Sequence, residues 1–96
     1  MIIINHSHGK ISIKGHAGYA EHGKDIVCAA ISALLQTFAM AVDELTADKL
    51  NTKMTAGNAV ITYGNLTEQS QLLLSSFLLG CEAIAETYPD FVQVIK

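Results

Sequence analysis

A cysteine and two histidines lie close together in the first third of the chain. Cys28 lies in an apolar run, and His16 and His22 precede it in a segment that contains three glycines. If Asp25 is the N-cap of a helix, Cys28 lies in the first turn, where unpaired N–H groups and the helix dipole favour an anion. A cysteine at a helix N-terminus or beside a protonated histidine forms the nucleophilic thiolate more readily. These residue types therefore allow nucleophilic catalysis by a thiol.

Cys28 also has two simpler interpretations. Cysteine is among the most frequently buried residue types and packs as a small hydrophobe, so position alone favours a core thiol. A metal site has less support, because the chain has no Cys-x-x-Cys or His-Glu-x-x-His pattern. His6 and His8 lie on one side of a predicted hairpin turn, but two histidines do not make a zinc site, and we favour turn residues in solvent. Cys81 lies among large apolar residues of a predicted helix, where a core role is expected.

The hydrophobic pattern predicts the elements that position these side chains. Alternating or β-branched runs predict strands, and broad apolar faces with helical spacing predict two helices. Thr67 and Asp25 are predicted N-caps, and Pro89 is predicted to end the second helix. The predicted order is ββαββαβ, a single α+β domain over residues 1–96 with two apolar helices on a four- to five-stranded sheet. The predicted ranges are strands 1–5, 11–14, 53–55, 59–63 and 91–95, helices 26–45 and 67–87, a turn at 6–10 and a mobile loop at 15–24.

The composition predicts a second copy of the chain as a partner and argues against nucleic acid and membranes. Half of the residues are hydrophobic and 16% are charged, well below the usual quarter for charged residues. A small monomer cannot bury so much apolar surface, so we expect a homodimer. The net charge of −3, with no basic run and no Trp, argues against nucleic-acid binding. The chain shows no signal peptide pattern and no uninterrupted apolar stretch of about 20 residues, and its two cysteines are expected to be reduced. We therefore expect a cytoplasmic protein without membrane contact.

The stretch around Cys28 resembles a known family. Gly15-His16-Ala17, the glycine-containing loop and the run from Gly23 to Ser32, GKDIVCAAIS, resemble the ribosomal-processing cysteine protease Prp family. In that family the His of Gly-His-Ala and the Cys of Asp-Ile-Val-Cys form a catalytic dyad, so the resemblance implies His16 and Cys28. It also implies a homodimer with a flexible loop, no metal or cofactor, and removal of a short N-terminal extension from a large-subunit ribosomal protein. In that family, cleavage follows an apolar motif that contains aromatic residues.

The resemblance leaves several neighbouring residues with two interpretations. Asp25 either orients His16 or caps the helix, and we favour the cap because it is the local role. Ser32, one turn beyond Cys28, either lines the cleft or is buried and bonds back to the Cys28 carbonyl. Gly23 and Tyr19 are further candidates for the cleft. Backbone N–H groups at the helix start, including that of Cys28, are candidates for an oxyanion hole. The position of His22 is often Tyr in the family, so we do not expect a catalytic role for it.

Three other functions remain open. Phage-borne relatives are thought to process capsid or scaffold proteins, and the sequence is consistent with that role. A non-catalytic dimeric binding module would use the same apolar surface, and a His/Cys metal-binding module would use the same side chains. Alkylation of Cys28 near neutral pH distinguishes these classes, since a nucleophile reacts quickly, a buried thiol slowly and a metal-bound thiol only after chelation.

Overall fold

The chain forms seven elements in the predicted order, and the computed structural model describes all of residues 1–96. In chain order these elements are β1 (Ile2–Ser7), β2 (Lys10–Lys14), α1 (Ile26–Leu45), β3 (Asn51–Thr55), β4 (Asn58–Thr62), α2 (Glu68–Thr87) and β5 (Val92–Ile95). The first hairpin differs from the prediction, because β1 and β2 extend to a two-residue turn at His8 and Gly9. Gly9 has φ 76°, which glycine adopts without strain.

One mixed sheet carries the core. Its strand order is β3-β4-β2-β1-β5, with β1 and β5 parallel and the other neighbours antiparallel. The register aligns buried side chains across the sheet: Ile4 pairs with Ile13, Ile13 with Ala59, and Ile11 with Ile61. Because side chains alternate between the two faces of a strand, this register places them on the face that the helices cover. The α+β two-layer prediction is therefore confirmed.

Both helices pack on that face and against each other. On α1 one stripe is buried, formed by Val27, Ile31, Leu35, Phe38 and Val42. The stripe has the spacing of a single helix face. The rings of Phe38 and Phe77 stack with centroids 5.4 Å apart, and a Cβ at Gly80 would lie 2.9 Å from Leu34 Cδ2. Glycine at position 80 therefore lets α2 approach α1 closely.

The sequence predicted that α1 is buried on more than one side, and in the single chain this is wrong. Ile26 and Met40 are exposed, because the sheet and α2 together cover only one stripe of the helix, and Leu45 is exposed at the helix end. By length and composition α1 is also the one helix that is long and apolar enough to cross a membrane. Core helices of globular proteins satisfy the same criterion, and its stripe is packed in the core.

At one edge the sheet extends past the area that the two helices cover. β3 is the edge strand, and all five of its residues are exposed. The segment from Gly15 to Asp25 leaves the end of β2 and leads to the start of α1. The β3–β4 hairpin, this segment and the first turns of α1 therefore face one another across an open space.

Candidate active site

A cavity of about 730 Å³ lies between the start of α1, the segment 15–25 and the β3–β4 hairpin. Its walls include His16, His22, Gly23, Cys28 and Ser32. The chain thus brings the cysteine and both histidines that the sequence singled out to one space. Ser32 is exposed there, so its hydroxyl is not the buried, back-bonded group of the alternative interpretation.

Asp25 caps α1 and holds the loop that precedes it. Its Oδ1 accepts hydrogen bonds from the N–H groups of Val27 at 3.0 Å and Cys28 at 2.9 Å. Its Oδ2 accepts from the N–H groups of Tyr19 at 2.9 Å and Ala20 at 3.4 Å. The bond from Cys28 has the largest effect and lowers the pKa of the Asp25 carboxyl; desolvation, the next largest effect, raises it, and the bonds from Tyr19, Ala20 and Val27 lower it again, so the pKa lies below its usual value. The carboxylate is bonded to backbone, not to an imidazole.

This cap corrects one expectation about the helix start. The N–H of Cys28 was a candidate for the oxyanion hole, but it donates to Asp25. A donor that is already bonded to a carboxylate must break a charge-assisted hydrogen bond before it can serve an oxyanion. The cap therefore removes the Cys28 N–H from the set of available donors.

Cys28 Sγ receives its hydrogen bond from the loop instead. The backbone N–H of Ala17 points at Sγ, with nitrogen and sulfur 3.3 Å apart. The Ala17 side chain is 4% exposed and belongs to the hydrophobic core, so the methyl group fixes the position of this amide. Sequence reasoning missed Ala17. The sequence signal that could have indicated it is the place of Ala17 directly after His16 in the Gly-His-Ala motif.

His16 lies at the end of the cavity next to the β3–β4 turn. The Gly15 N–H donates to the Gly57 carbonyl at 2.8 Å, which ties the residue before His16 to that turn. The imidazole rests directly on Gly57, where an added Cβ would lie 2.6 Å from Nε2. His16 is exposed on its other side. Both members of the proposed dyad therefore line one cavity, although the hydrogen bond at Sγ comes from Ala17 and not from His16. Catalytic hydrogen bonds are often long in free enzymes and shorten when substrate binds.

Tyr19 lies elsewhere than predicted. It was a candidate for the cleft, but it is absent from the cavity wall that Gly18 and Ala20 help to form. Its ring makes edge contacts with Tyr88 and Phe91, with centroids 5.5 Å and 5.3 Å apart. Edge-to-face pairs are a favourable arrangement of aromatic rings. Tyr19 thus anchors the loop to the segment after α2 and does not face the cavity.

The other candidates lie apart from this cavity. Cys81 is fully buried, and burial, with a smaller effect of the Glu82 charge, raises the pKa of its thiol to about 12. Both cysteines are free. His6 lies in β1, and its Nε2 is 3.1 Å from the hydroxyl of Tyr63, the residue after β4. No group of three or more His, Cys, Asp or Glu side chains is arranged to hold a metal ion.

Comparison with known proteins decides the family. The model of the family described as cysteine protease Prp matches residues 2–93. The chain belongs to the Prp family. It is 31% identical to the ribosomal processing cysteine protease Prp of Mycoplasma pneumoniae, over 97% of this chain and 92% of that protein. It is 34% identical to the protein of the same name in Mycoplasma genitalium, over 98% and 94% of the two chains.

Solved Prp structures have the same fold. A crystal structure of the ribosomal processing protease Prp of Staphylococcus aureus with a covalently linked product peptide has a TM-score of 0.91 and 27% identity, and the match covers 99% of this chain and 98% of that one. A second structure of the S. aureus protease, with a substrate peptide, has a TM-score of 0.84 and 25% identity, with 98% and 97% covered. The resemblance stated from residues 15–32 is confirmed. The chain is a cysteine protease of the Prp family with a peptide or protein substrate.

Proposed function

We propose that this Prp-family protease uses Cys28 as its nucleophile and His16 as its general base. The observation that carries the proposal is the shared cavity, in which the Cys28 thiol and the His16 imidazole face the same 730 Å³ space. Cys28 is only partly buried, whereas Cys81 is fully buried with a raised pKa. Since the thiolate is the reactive form, Cys28 is the cysteine suited to attack a peptide.

The reaction is an acyl transfer with a thioester intermediate. His16 takes the proton of the Cys28 thiol, and the sulfur attacks the scissile carbonyl carbon, whose π electrons move to oxygen. The C–N bond then breaks as the carbonyl re-forms, and the imidazolium gives its proton to the leaving amine. Water, deprotonated by His16, attacks the thioester and releases the acid product and the free thiol. For these proton transfers the imidazole must lie within hydrogen-bond reach of Sγ when substrate is bound, about 2.6–3.2 Å for catalytic pairs in general.

The cavity fits an apolar peptide. Its walls include Ile13, Leu35, Met54 and Ala59. Met54 pairs with Ala59 across the sheet, so it lies on the helix side of β3, where it is half exposed. Apolar side chains beside polar groups such as His16, His22 and Ser32 are typical of a site that holds apolar parts of a ligand and orients it by hydrogen bonds. The S. aureus relative was solved with a substrate peptide. Relatives of this chain are named ribosomal processing proteases, and we infer, as the family resemblance implies, that the substrate is the N-terminal extension of a large-subunit ribosomal protein, cleaved after a motif with apolar and aromatic residues.

We also propose that the protease is a homodimer. Leu72 and Leu79, seven residues apart on one face of α2, are 72% and 66% exposed. Beside them a groove of about 320 Å³ runs between α1 and α2 and is lined mainly by apolar side chains. A second copy that covers these helices would bury the apolar surface that one chain leaves open. Sedimentation equilibrium tests this, and a monomer at assay concentrations would contradict it.

The free thiols favour a reducing compartment, so we propose a cytoplasmic location.

Cleavage of a ribosomal protein precursor tests the function directly. Purified protease is incubated with a large-subunit ribosomal protein that carries its N-terminal extension, and the products are identified by mass spectrometry. We expect a single cut after the apolar motif, loss of cleavage in Cys28→Ala and retention of cleavage in the matched control Cys81→Ala. A phage capsid precursor is tested in parallel. If only the capsid protein is cut, the ribosomal substrate is wrong, and if Cys28→Ala still cleaves, the nucleophile is wrong.

A further inference from the structure

The proposed reaction places negative charge on the scissile carbonyl oxygen, and the structure indicates which group receives it. We propose that the backbone N–H of Ala17 is the oxyanion donor, so that the consecutive residues His16 and Ala17 supply the base and the donor. This inference rests on the proposed function of Cys28 and His16. It assigns a catalytic role to a backbone amide in the loop rather than in the helix.

The start of α1 has few N–H groups left for an oxyanion. The N–H groups of Val27 and Cys28 donate to Asp25 Oδ1 at 3.0 Å and 2.9 Å. The N–H of Ala29 donates to the Asp25 carbonyl at 3.0 Å and closes the first helical bond. Asp25 therefore occupies the N–H groups of Cys28 and of its two chain neighbours. None of these three groups can donate to the oxyanion without breaking its own hydrogen bond, which favours a donor from another element.

Ala17 supplies a donor at the reacting atom. Its N–H lies 3.3 Å from Cys28 Sγ, and in the tetrahedral intermediate the oxyanion is only two bonds from that sulfur. In the free enzyme the N–H faces the electron-rich sulfur. As the S–C bond forms, negative charge leaves the sulfur and gathers on the oxygen, so the N–H follows the charge by a small shift. When the C–N bond breaks and the carbonyl re-forms, the donor is released.

The amide is held in place from both sides, as an effective oxyanion donor must be. Before it, the Gly15 N–H is bonded to the Gly57 carbonyl at 2.8 Å. After it, the N–H groups of Tyr19 and Ala20 are bonded to the Asp25 carboxylate. The buried methyl group of Ala17 fixes the residue itself. Asp25 thus has two effects that act together, since it closes the helix start and holds the loop that carries the replacement donor.

The Gly-His-Ala unit gains a physical explanation from this arrangement. Gly15 has φ 95°, and a side chain there would collide with the Met1 carbonyl, so only glycine allows the turn out of β2. His16 follows on the cavity side. A larger side chain than alanine at position 17 would overfill the core, and a loss of its packing would release the amide.

Replacement of one amide by an ester tests the donor directly. Chemical synthesis with ligation at Cys28 and Cys81 gives Ala17→lactic acid, which keeps the buried methyl group and removes only the N–H. The matched control is Ala47→lactic acid, at an exposed alanine beyond α1. We expect kcat for the precursor-derived peptide to fall about 10²–10³-fold at position 17, the range seen when one oxyanion donor is removed. We expect KM to be little changed, and the control to match the all-amide chain.

Alkylation separates an oxyanion donor from a group that only stabilises the thiolate. Reaction of Cys28 with iodoacetamide forms no oxyanion, so its rate should fall far less than kcat. Equal losses in both rates would show that Ala17 acts on the sulfur alone, and unchanged kcat would show no role; either result overturns the proposal. If the all-amide protease does not cleave the peptide at all, the proposed function fails instead.

A spectroscopic measurement does not depend on folding of the ester variant. The natural chain is labelled at alanine nitrogen and treated with a peptidyl trifluoromethyl ketone, which forms a stable hemithioketal oxyanion with the active-site thiol. We expect a large downfield shift of the Ala17 amide proton on adduct formation, and no such shift in the chloromethyl ketone adduct, which lacks a tetrahedral oxyanion. An Ala17 proton that does not move in the hemithioketal would overturn the assignment.

Discussion

The β3–β4 turn meets the His16 imidazole at Gly57, so Gly57→Ala tests whether this turn positions the proposed general base. The added Cβ would lie 2.6 Å from Nε2, 3.2 Å from Cε1 and 3.3 Å from Cδ2 of the ring. Ordinary contact begins near 3.4 Å, so the ring must move by about 0.8 Å, the difference between 3.4 Å and 2.6 Å. The ring is the end of a side chain that can rotate, so the movement itself costs little free energy of folding.

The substitution has two separable effects. Gly57 has φ 71°, and an L-residue in this left-handed region costs about 1–2 kcal/mol, which should appear in the free energy of unfolding. A misplacement of about 1 Å at a catalytic group can lower the rate about 10²-fold. We therefore expect kcat/KM to fall by about that factor, well beyond the effect of the stability loss on an enzyme that remains folded.

The assay measures both quantities on a matched pair. Initial rates on the precursor-derived peptide give kcat/KM, and urea unfolding gives stability. The control is Gly9→Ala, at φ 76° in the β1–β2 turn, where the nearest contact of the new Cβ is the Tyr63 carbonyl oxygen at 3.2 Å. It should lose similar stability and keep its kcat/KM. If Gly57→Ala keeps the rate of the natural protein while both variants lose stability, the turn does not position His16 and the argument from contact distances is refuted.

Four further predictions concern the two cysteines and the residues around the cavity. Iodoacetamide near neutral pH should label Cys28 quickly and leave Cys81 unlabelled, because burial raises the pKa of Cys81 to about 12; peptide mapping checks this, and equal labelling of the folded protein would contradict it. His16→Ala should lose nearly all turnover and His22→Ala should keep most of it, as measured by initial rates with saturating peptide and circular dichroism; the reverse order would overturn the dyad. Asp25→Asn should keep the helix cap, since Asn caps as well as Asp, but its amide cannot accept both loop N–H groups through Oδ2, so kcat should fall more than stability. Because hydrogen bonds lower the folded pKa of Asp25, its stabilising effect is present above about pH 4 and is lost as the pH falls through the folded pKa; the difference in urea midpoint between the natural chain and Asp25→Asn should therefore narrow in acid, and a constant difference would refute this linkage.

Local patterns predicted the elements well. The bounds of both helices and the order ββαββαβ follow from apolar spacing, from N-caps at Asp25 and Thr67, and from Pro89 after α2. Each of these signals acts within one or two turns of chain. The first turn was predicted too long, because His6 and Ser7 are polar and yet extend β1 by backbone pairing with β2. Strand pairing depends on a partner strand, which the side-chain pattern of one segment does not contain.

The position of Cys28 in the first turn of a capped helix follows from local sequence alone, since capping requires only Asp25 and the amides that follow it. The motif that includes His16 and Cys28 was equally visible, and it indicated the correct family. The rest of the site depends on the tertiary fold. It bonded the other oxygen of Asp25 to the loop, placed the Ala17 amide against Sγ, rested His16 on Gly57 and turned the Tyr19 ring towards Tyr88 and Phe91. These contacts join the loop to α1, the β3–β4 turn and the segment after α2, and only the packing of these elements brings such distant parts of the chain together.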